Sequence, residues 1–457
     1  MLETFWVKAN RHFTTFIGCL ILLLLTQHAT AQSSNPVFIR DAEIEQLVSN
    51  YAKPIFRAAN LPADNIPIYI IADDTLNAFV TSGRGVFINM GLLIRSRSPN
   101  QVIGVIAHET GHILGGHFAR LEDKLKKATL EQILGFILGI AAGAVANDPN
   151  VTAAVIAFVN STGQLSLLSF SRGQEASADQ AALSLLDKTG QSSRGLLEFF
   201  EIMQQQERLI GFQIDRYLST HPLTAERIRT VRDHVAKSPF ANRLDPPELV
   251  LSHQRMQAKL IGYFYPLSQV LSIYPETDQS LVARYGRVFA YYKTKQIDKA
   301  MSILDGLLKE YPNDPFFYEF KGQMLLESGK VEIAVAAYQQ AVRLAPNLYL
   351  IRYDLARAML AANDPTLLAD AIKNIEGFLQ NEPRNAQGWR QLAIAYGKKG
   401  DQGMTSLAMA EYAVNSGKYQ EAIRHAEKAT KILPYGSPKW QRADDIQNFA
   451  RTMIKQR

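Results

Sequence analysis

The chain has 457 residues, 47% of them hydrophobic and 20% charged, with a formal net charge of +6. That length allows two or three domains, each able to bury a core, and the balance is that of a globular protein rather than a disordered one. The positive charge is mild and not gathered into a basic block, which argues against a nucleic-acid partner.

Lys8 and Arg11 precede an apolar run from Phe13 to Leu25, and Ala29-Thr30-Ala31 closes the segment before Gln32. A charged start, a short apolar stretch and an Ala-x-Ala site read as a signal peptide over residues 1–31, cut after Ala31. The run is short for a spanning helix. Cys19 is the single cysteine, and most of the apolar run follows it, the wrong order for lipidation. Once the signal is removed no thiol remains, so a metal must be held by His and carboxylate.

From Asp41 to Ala59 the apolar residues, Ile44, Leu47, Ala52 and Ile55 among them, recur with helical spacing. Ile68 to Ile71 and Gly85 to Asn89 are β-rich, with Ser82-Gly83 as the turn before the second run. Pro99-Asn100 predicts a helix start, and Val102, Ile103, Val105 and Ile106 supply its buried face.

That helix carries His108-Glu109-Thr110-Gly111-His112. Spacing of i, i+4 puts both imidazoles on one face, one turn apart, where both can meet one zinc ion. Glu109 stands beside the metal, placed to take a proton from water. Val105, Ile106, Ile113 and Leu114 put the motif on a buried helix rather than a polar loop. The position six residues after His112 is Phe118, so the three-His pattern of metzincins fails. His117 falls one residue early and is expected to point away around the helix, as a surface or supporting residue.

Ile133 to Ala146 and Val151 to Val159 are strongly apolar, separated by Asn147-Asp148-Pro149. Each is too short to span a membrane. They read as a pair of buried core helices; the sharper alternative is a hairpin that covers the active site or makes peripheral contact with a membrane. The third zinc ligand is expected at Glu175, on the helix that follows. Asp179, one turn on, can accept from the outer nitrogen of a ligating His and fix its tautomer. Two His and one Glu leave a fourth position open, the catalytic arrangement.

Pro239, Pro246 and Pro247 then interrupt the helical pattern, and residues 236–264 read as a linker. Beyond 265, Gly322, Leu325, Gly329, Ala334, Tyr338, Ala341 and Pro346 fall at the offsets of a tetratricopeptide repeat, with Pro312 and Pro346 34 residues apart. Partial units follow, stretched around Asp364-Pro365, and the segment from Ser437 containing Trp440 reads as a cap. Such an array offers a groove for a protein partner. The expected fold is mainly α: an α+β zincin-like domain with a small sheet over 36–235, then an all-α repeat solenoid over 265–457.

Asn77-Ala78-Phe79, the Gly85 to Leu93 strand and turn, the His108 motif, Glu175 to Asp179 and Ser219-Thr220-His221-Pro222 occur in that order. Together this resembles the zinc endopeptidase family that includes CAAX prenyl proteases and an exported, repeat-bearing bacterial branch. The resemblance implies that His221 and Arg227 flank the zinc and polarise the oxyanion. For the exported branch it gives His221 a second role, as occupant of the fourth zinc position. It also implies that Gly85, Val86, Phe87, Ile88 and Asn89 form an edge strand that pairs with substrate. The compartment it implies is the periplasm, and the partners are outer-membrane β-barrel precursors and the machinery that inserts them.

The expected activity is thus that of a zinc metalloendopeptidase with one Zn2+ per chain, held by His108, His112 and Glu175, with Glu109 as proton acceptor and donor. The competing expectation is a repeat-based chaperone or scaffold with a latent or structural zinc site.

Overall fold

The computed structural model describes residues 37–80, 85–117, 171–210 and 221–455. The expected signal peptide with Cys19, the Ser82-Gly83 turn, the apolar hairpin Ile133 to Val159 and Ser219-Thr220 lie outside the described residues. The chain divides into two compact units, residues 1–39 with 52–244 and residues 40–51 with 245–457.

The first unit holds a four-stranded sheet in the order β1-β2-β4-β3: β1 (Phe38–Ile39), β2 (Ile68–Ile71), β3 (Ala78–Val80) and β4 (Val86–Asn89). β4 pairs parallel with β2 and antiparallel with β3. This corrects the expectation for Gly85 to Asn89. Both sides of β4 are already hydrogen-bonded, so it has no edge to offer a substrate backbone. Among the described residues the outer strand beside it is β3, which packs against the helix carrying His108. Helix α1 (Ala42–Ala58) precedes β2, and α2 (Met90–Arg95) follows β4 directly.

Helix α3 (Pro99–Leu114) begins with Pro at its first turn, where the missing N–H costs nothing. Nearly every residue from Pro99 to His112 is buried, so it is a core helix rather than a surface one. Two glycines let neighbours approach it. A Cβ at Gly104 would lie 2.9 Å from Leu196 of α5 (Arg194–Ile210), and one at Gly111 would lie 2.6 Å from the Ala178 carbonyl of α4 (Arg172–Lys188). α6 (Ala225–Lys237) completes the unit.

In the second unit the expected linker segment contains a long helix, α7 (Pro247–Phe264), followed by α8 (Leu267–Ile273). Antiparallel helices then succeed one another: α9 (Leu281–Lys293), α10 (Ile297–Glu310), α11 (Pro315–Glu327), α12 (Val331–Leu344), α13 (Tyr349–Ala362), α14 (Leu368–Asn381), α15 (Ala386–Lys399), α16 (Gln402–Asn415), α17 (Tyr419–Ile432) and α18 (Pro438–Lys455). The stretch around Asp364-Pro365 is a short 3-10 turn capped by the Asp364 side chain. Small buried residues set the spacing, with Ala334 and Ala341 fully buried and a Cβ at Gly322 only 2.7 Å from the Tyr338 ring. The protein is mainly α, as its sequence predicts. Among the described residues no helix is long and apolar enough to cross a membrane.

Candidate metal centre

Three local structures bring the site together. The i, i+4 spacing on α3 turns His108 and His112 to the same side, with their Nε2 atoms 3.1 Å apart. α4 starts with a reciprocal cap between Ser171 and Gln174, which sets Glu175 in its first turn and Asp179 one turn further along the same face. Gly111 admits α4 closely enough for Glu175 to reach both imidazoles. Thr224 caps α6 by accepting from the Arg227 N–H, so Arg227 leaves the first turn of that helix.

His108, His112, Glu175 and His221 are all fully buried, and one ligand atom from each lies within 4.8 Å of all the others. Glu175 Oε1 is 3.3 Å from His112 Nε2 and 3.0 Å from His221 Nδ1, and His221 Nδ1 is 3.4 Å from His108 Nε2. A tetrahedral ion with bonds of about 2.0–2.1 Å has edges of about 3.3–3.4 Å between its ligand atoms. The four edges named, 3.0–3.4 Å, lie at or just below that value, and three ring nitrogens with one carboxylate oxygen are a donor set that suits such an ion. The residues fit a metal.

The surrounding groups orient these donors. His108 Nδ1 lies 2.8 Å from Asp179 Oδ1, close enough for Asp179 to influence which ring nitrogen carries the proton. Arg227 grips Asp179 twice, Nε to Oδ2 at 2.7 Å and Nη2 to Oδ1 at 2.9 Å. Its Nη1 reaches Glu175 Oε2 at 2.6 Å and donates to the Pro222 carbonyl at 2.9 Å, and its guanidinium lies 4.9 Å from the Phe200 ring centre. These contacts hold Asp179, Glu175 and the His221-Pro222 turn around the cluster, beside the position at which the resemblance implies an oxyanion partner.

Glu109 is fully buried, and neither carboxylate oxygen has a hydrogen bond among the described residues. Its Oε1 lies 3.6 Å from His221 Nε2. Burial holds its carboxyl above the ordinary value. From the protein groups alone, burial works against a charged His108, but Asp179 and Glu175 outweigh it and raise its pKa to about 9. Burial lowers His112 to about 3. Burial also opposes the charge on Glu175, yet hydrogen bonds from three imidazoles hold its carboxyl far below the usual range. Two imidazoles in contact are thus driven in opposite directions, a conflict that one cation among them removes.

His117 does not point away. It is buried, and its Nδ1 lies 3.0 Å from His112 Nδ1. Helical extrapolation misses this because α3 ends at Gly115, and Gly116 takes φ +60°, a left-handed turn that sends the next ring back. The consecutive glycines were the available signal.

Comparison with known proteins fits this geometry. Peptidase family M48 matches residues 39–235, and tetratricopeptide-repeat profiles match 282–314 and 321–367. The chain is 25% identical over 420 residues to the "Beta-barrel assembly-enhancing protease" of Yersinia pestis, covering 89% of this chain and 83% of that protein. Its likeness to the protein of the same name in Escherichia coli (strain K12) is 25% over 418 residues, covering 89% and 82%. It is also 30% identical over 202 residues to the metalloprotease LoiP of Escherichia coli (strain K12), covering 43% of this chain and 75% of that protein.

Proposed function

The chain belongs to peptidase family M48 and is a metallopeptidase, and on that premise we propose that it is a zinc endopeptidase of the bacterial periplasm. Its substrates in this reading are unfolded or misassembled proteins, within outer-membrane protein assembly and quality control. The observation that carries it is the set of four buried ligand atoms, all within 4.8 Å of one another, beside a carboxylate that has no hydrogen bond among the described residues.

His108, His112 and Glu175 would hold the ion, one per chain. When bound, it supplies Lewis acidity that acidifies water and polarises a peptide carbonyl. Glu109 takes the proton from water at its free carboxylate and returns it to the leaving amine, a role that its burial-raised pKa suits. Asp179 keeps the proton of His108 on Nδ1, and Arg227 fixes Asp179 and Glu175 in place. The substrate backbone is taken to add to β3, the outer strand among the described residues, at Ala78, Phe79 and Val80, rather than to β4. Substrate choice falls to the repeat array, because the chemistry at Glu109 is indifferent to side chains. The relatives named for β-barrel assembly suggest barrel precursors and their insertion machinery as partners.

His221 Nδ1 stands where the fourth, catalytic position would be. Four protein ligands make a closed site, the pattern of structural zinc, and this favours a second reading: a repeat-based chaperone or scaffold with a latent site. The two readings separate by experiment. Purified protein should contain one zinc and cleave an unfolded test protein; Glu109→Gln should keep the zinc and lose about 10²- to 10⁴-fold in rate. Cleavage by Glu109→Gln at the wild-type rate would end the enzyme reading. His221→Ala should cleave faster than wild type, because the fourth position no longer has to be vacated; a loss of rate would instead give His221 a part in the chemistry.

A further inference from the structure

We propose that His117 is a positioning residue for the metal ligand His112: its Nδ1 accepts the proton carried on His112 Nδ1 and so fixes the tautomer that turns His112 Nε2 toward the ion. The inference rests on the metal reading above.

With an ion held by His112 Nε2, the assignment of protons follows from the geometry. His112 Nε2 lies 3.1 Å from His108 Nε2 and 3.3 Å from Glu175 Oε1, both acceptors when a cation is held. A proton on His112 Nε2 would occupy the place of the ion, so the proton of a ligating His112 belongs on Nδ1. That nitrogen meets His117 Nδ1 at 3.0 Å, in a contact closed to solvent on both sides. A donor there needs an acceptor, and a neutral His117 with its own proton on Nε2 provides one.

The backbone is shaped for this contact. Gly116 reverses the chain at φ +60° immediately before His117. The ring then folds back over Gly115, so closely that a Cβ on Gly115 would lie 2.2 Å from His117 Nε2 and 2.6 Å from Cε1. Gly115 itself has φ −71° and ψ −10°, ordinary helical values that any residue adopts. Its lack of a side chain therefore serves the His117 ring and not the backbone. The two motif histidines are held differently: His108 by the Asp179 carboxylate, which Arg227 neutralises, and His112 by an uncharged ring. An uncharged acceptor orients His112 without burying a further carboxylate.

The test measures zinc affinity of the full chain by competition with a chromogenic chelator, independently of cleavage. His117→Phe keeps the bulk and removes the acceptor; its zinc Kd should rise about 10- to 100-fold. His117→Asn places Oδ1 near the position of Nδ1 and should stay within several-fold of wild type. Gly115→Ala leaves His117 in the sequence but displaces its ring, and should weaken zinc in the direction of His117→Phe. In ¹⁵N-histidine spectra of the zinc-loaded wild type, a ring proton should correlate with His112 Nδ1 and move upfield in zinc-loaded His117→Phe, where it has lost its acceptor. Unchanged affinity in His117→Phe, or equal losses in the Phe and Asn variants, overturns the proposal while leaving the metal site standing. Failure of the wild type to take up zinc overturns the metal reading and this inference with it. If His117→Phe does not fold, the Asn and Gly115→Ala pair decides by the same criteria.

Discussion

Around His108 in the first unit, three imidazoles and two carboxylates are fully buried, with ring nitrogens turned toward one another and Glu109 without a hydrogen bond among the described residues. Around Glu43 in the second unit a carboxylate is also buried, but among cationic and hydroxyl groups that meet both its oxygens. Its Oε1 is 2.8 Å from Arg255 Nη2, and its Oε2 accepts from Tyr285 at 2.7 Å and from Lys259 at 3.3 Å. Lys259 also reaches Asp41 at 2.6 Å, and Arg255 reaches Asp314. Burying a charge is costly unless it is paired. The second cluster finds its pairing within the chain, whereas the first needs a cation from outside. Depth of burial is therefore uninformative by itself; what distinguishes a site from a strut is whether opposite charges within the chain pair the buried group.

The strongest way to break that contrast is to remove the metal. Held at a thousandfold excess over its Kd, zinc should stabilise the structure around the cluster by about 4 kcal/mol. Hydrogen exchange read amide by amide is the measurement. Chelation should speed exchange in α3 and α4 and leave α11 and α12 unchanged. Equal acceleration in both places would mean that the imidazole cluster is as self-sufficient as the one at Glu43.

The second cluster can be turned into something like the first by taking away its centre. Glu43→Gln keeps the shape but leaves Arg255 and Lys259 buried with one carboxylate fewer. Breaking a buried pair costs about 3–5 kcal/mol, and the lower end applies because Asp41 and Asp314 remain. The sign of the pH dependence follows from the same contacts. Burial alone would raise the Glu43 carboxyl, but Arg255, Lys259 and Tyr285 outweigh it and hold it below its ordinary 4.5. A lowered carboxyl contributes stability that is complete above that ordinary value and is lost as pH falls through the folded one. Denaturant melts of wild type and Glu43→Gln should therefore differ most at neutral pH and converge in acid. A gap that widened below pH 4.5 would contradict the pairing.

How much of this the sequence discloses depends on what kind of rule each feature obeys. The His108–His112 pair follows from the helical repeat, whereas the Glu175–Asp179 spacing is a weak signal by itself and gains its meaning only from following that helix. Pairing order in the sheet obeys no such local rule. β3 and β4 are neighbours in sequence, and nothing in Val86 to Asn89 discloses that β2 takes its other side in parallel. The same limit applies to residues 40–51. From Ala42 on they belong to the same amphipathic helix as residues 52–58, yet they group with the repeats, because the partners of Asp41 and Glu43 lie more than two hundred residues away. His117 is missed for a different reason, since its direction is set by one backbone angle at Gly116.

The smallest effect tests whether the repeat unit is held by packing as tightly as by charge, and glycine gives a matched pair. Gly322 lies in α11, where a Cβ would come within 2.7–2.9 Å of three atoms of the buried Tyr338 ring. Gly306 lies in α10, where a Cβ would meet nothing within 4 Å. Alanine at either position gains about 1 kcal/mol from reduced freedom of the unfolded chain and better helix propensity. At Gly306 that gain stands alone, so Gly306→Ala should stabilise the protein by about 0.5–1 kcal/mol. At Gly322 the ring must move within a filled core, which costs about 1–3 kcal/mol. Gly322→Ala should therefore be destabilising by about 1 kcal/mol once the propensity gain is subtracted. Urea melts of the two variants, run side by side, should shift in opposite directions. If both shifted upward, the close approach of α11 and α12 at Gly322 would not be a constraint, and the repeat unit would owe its cohesion to buried ion pairs such as the one at Glu43 instead.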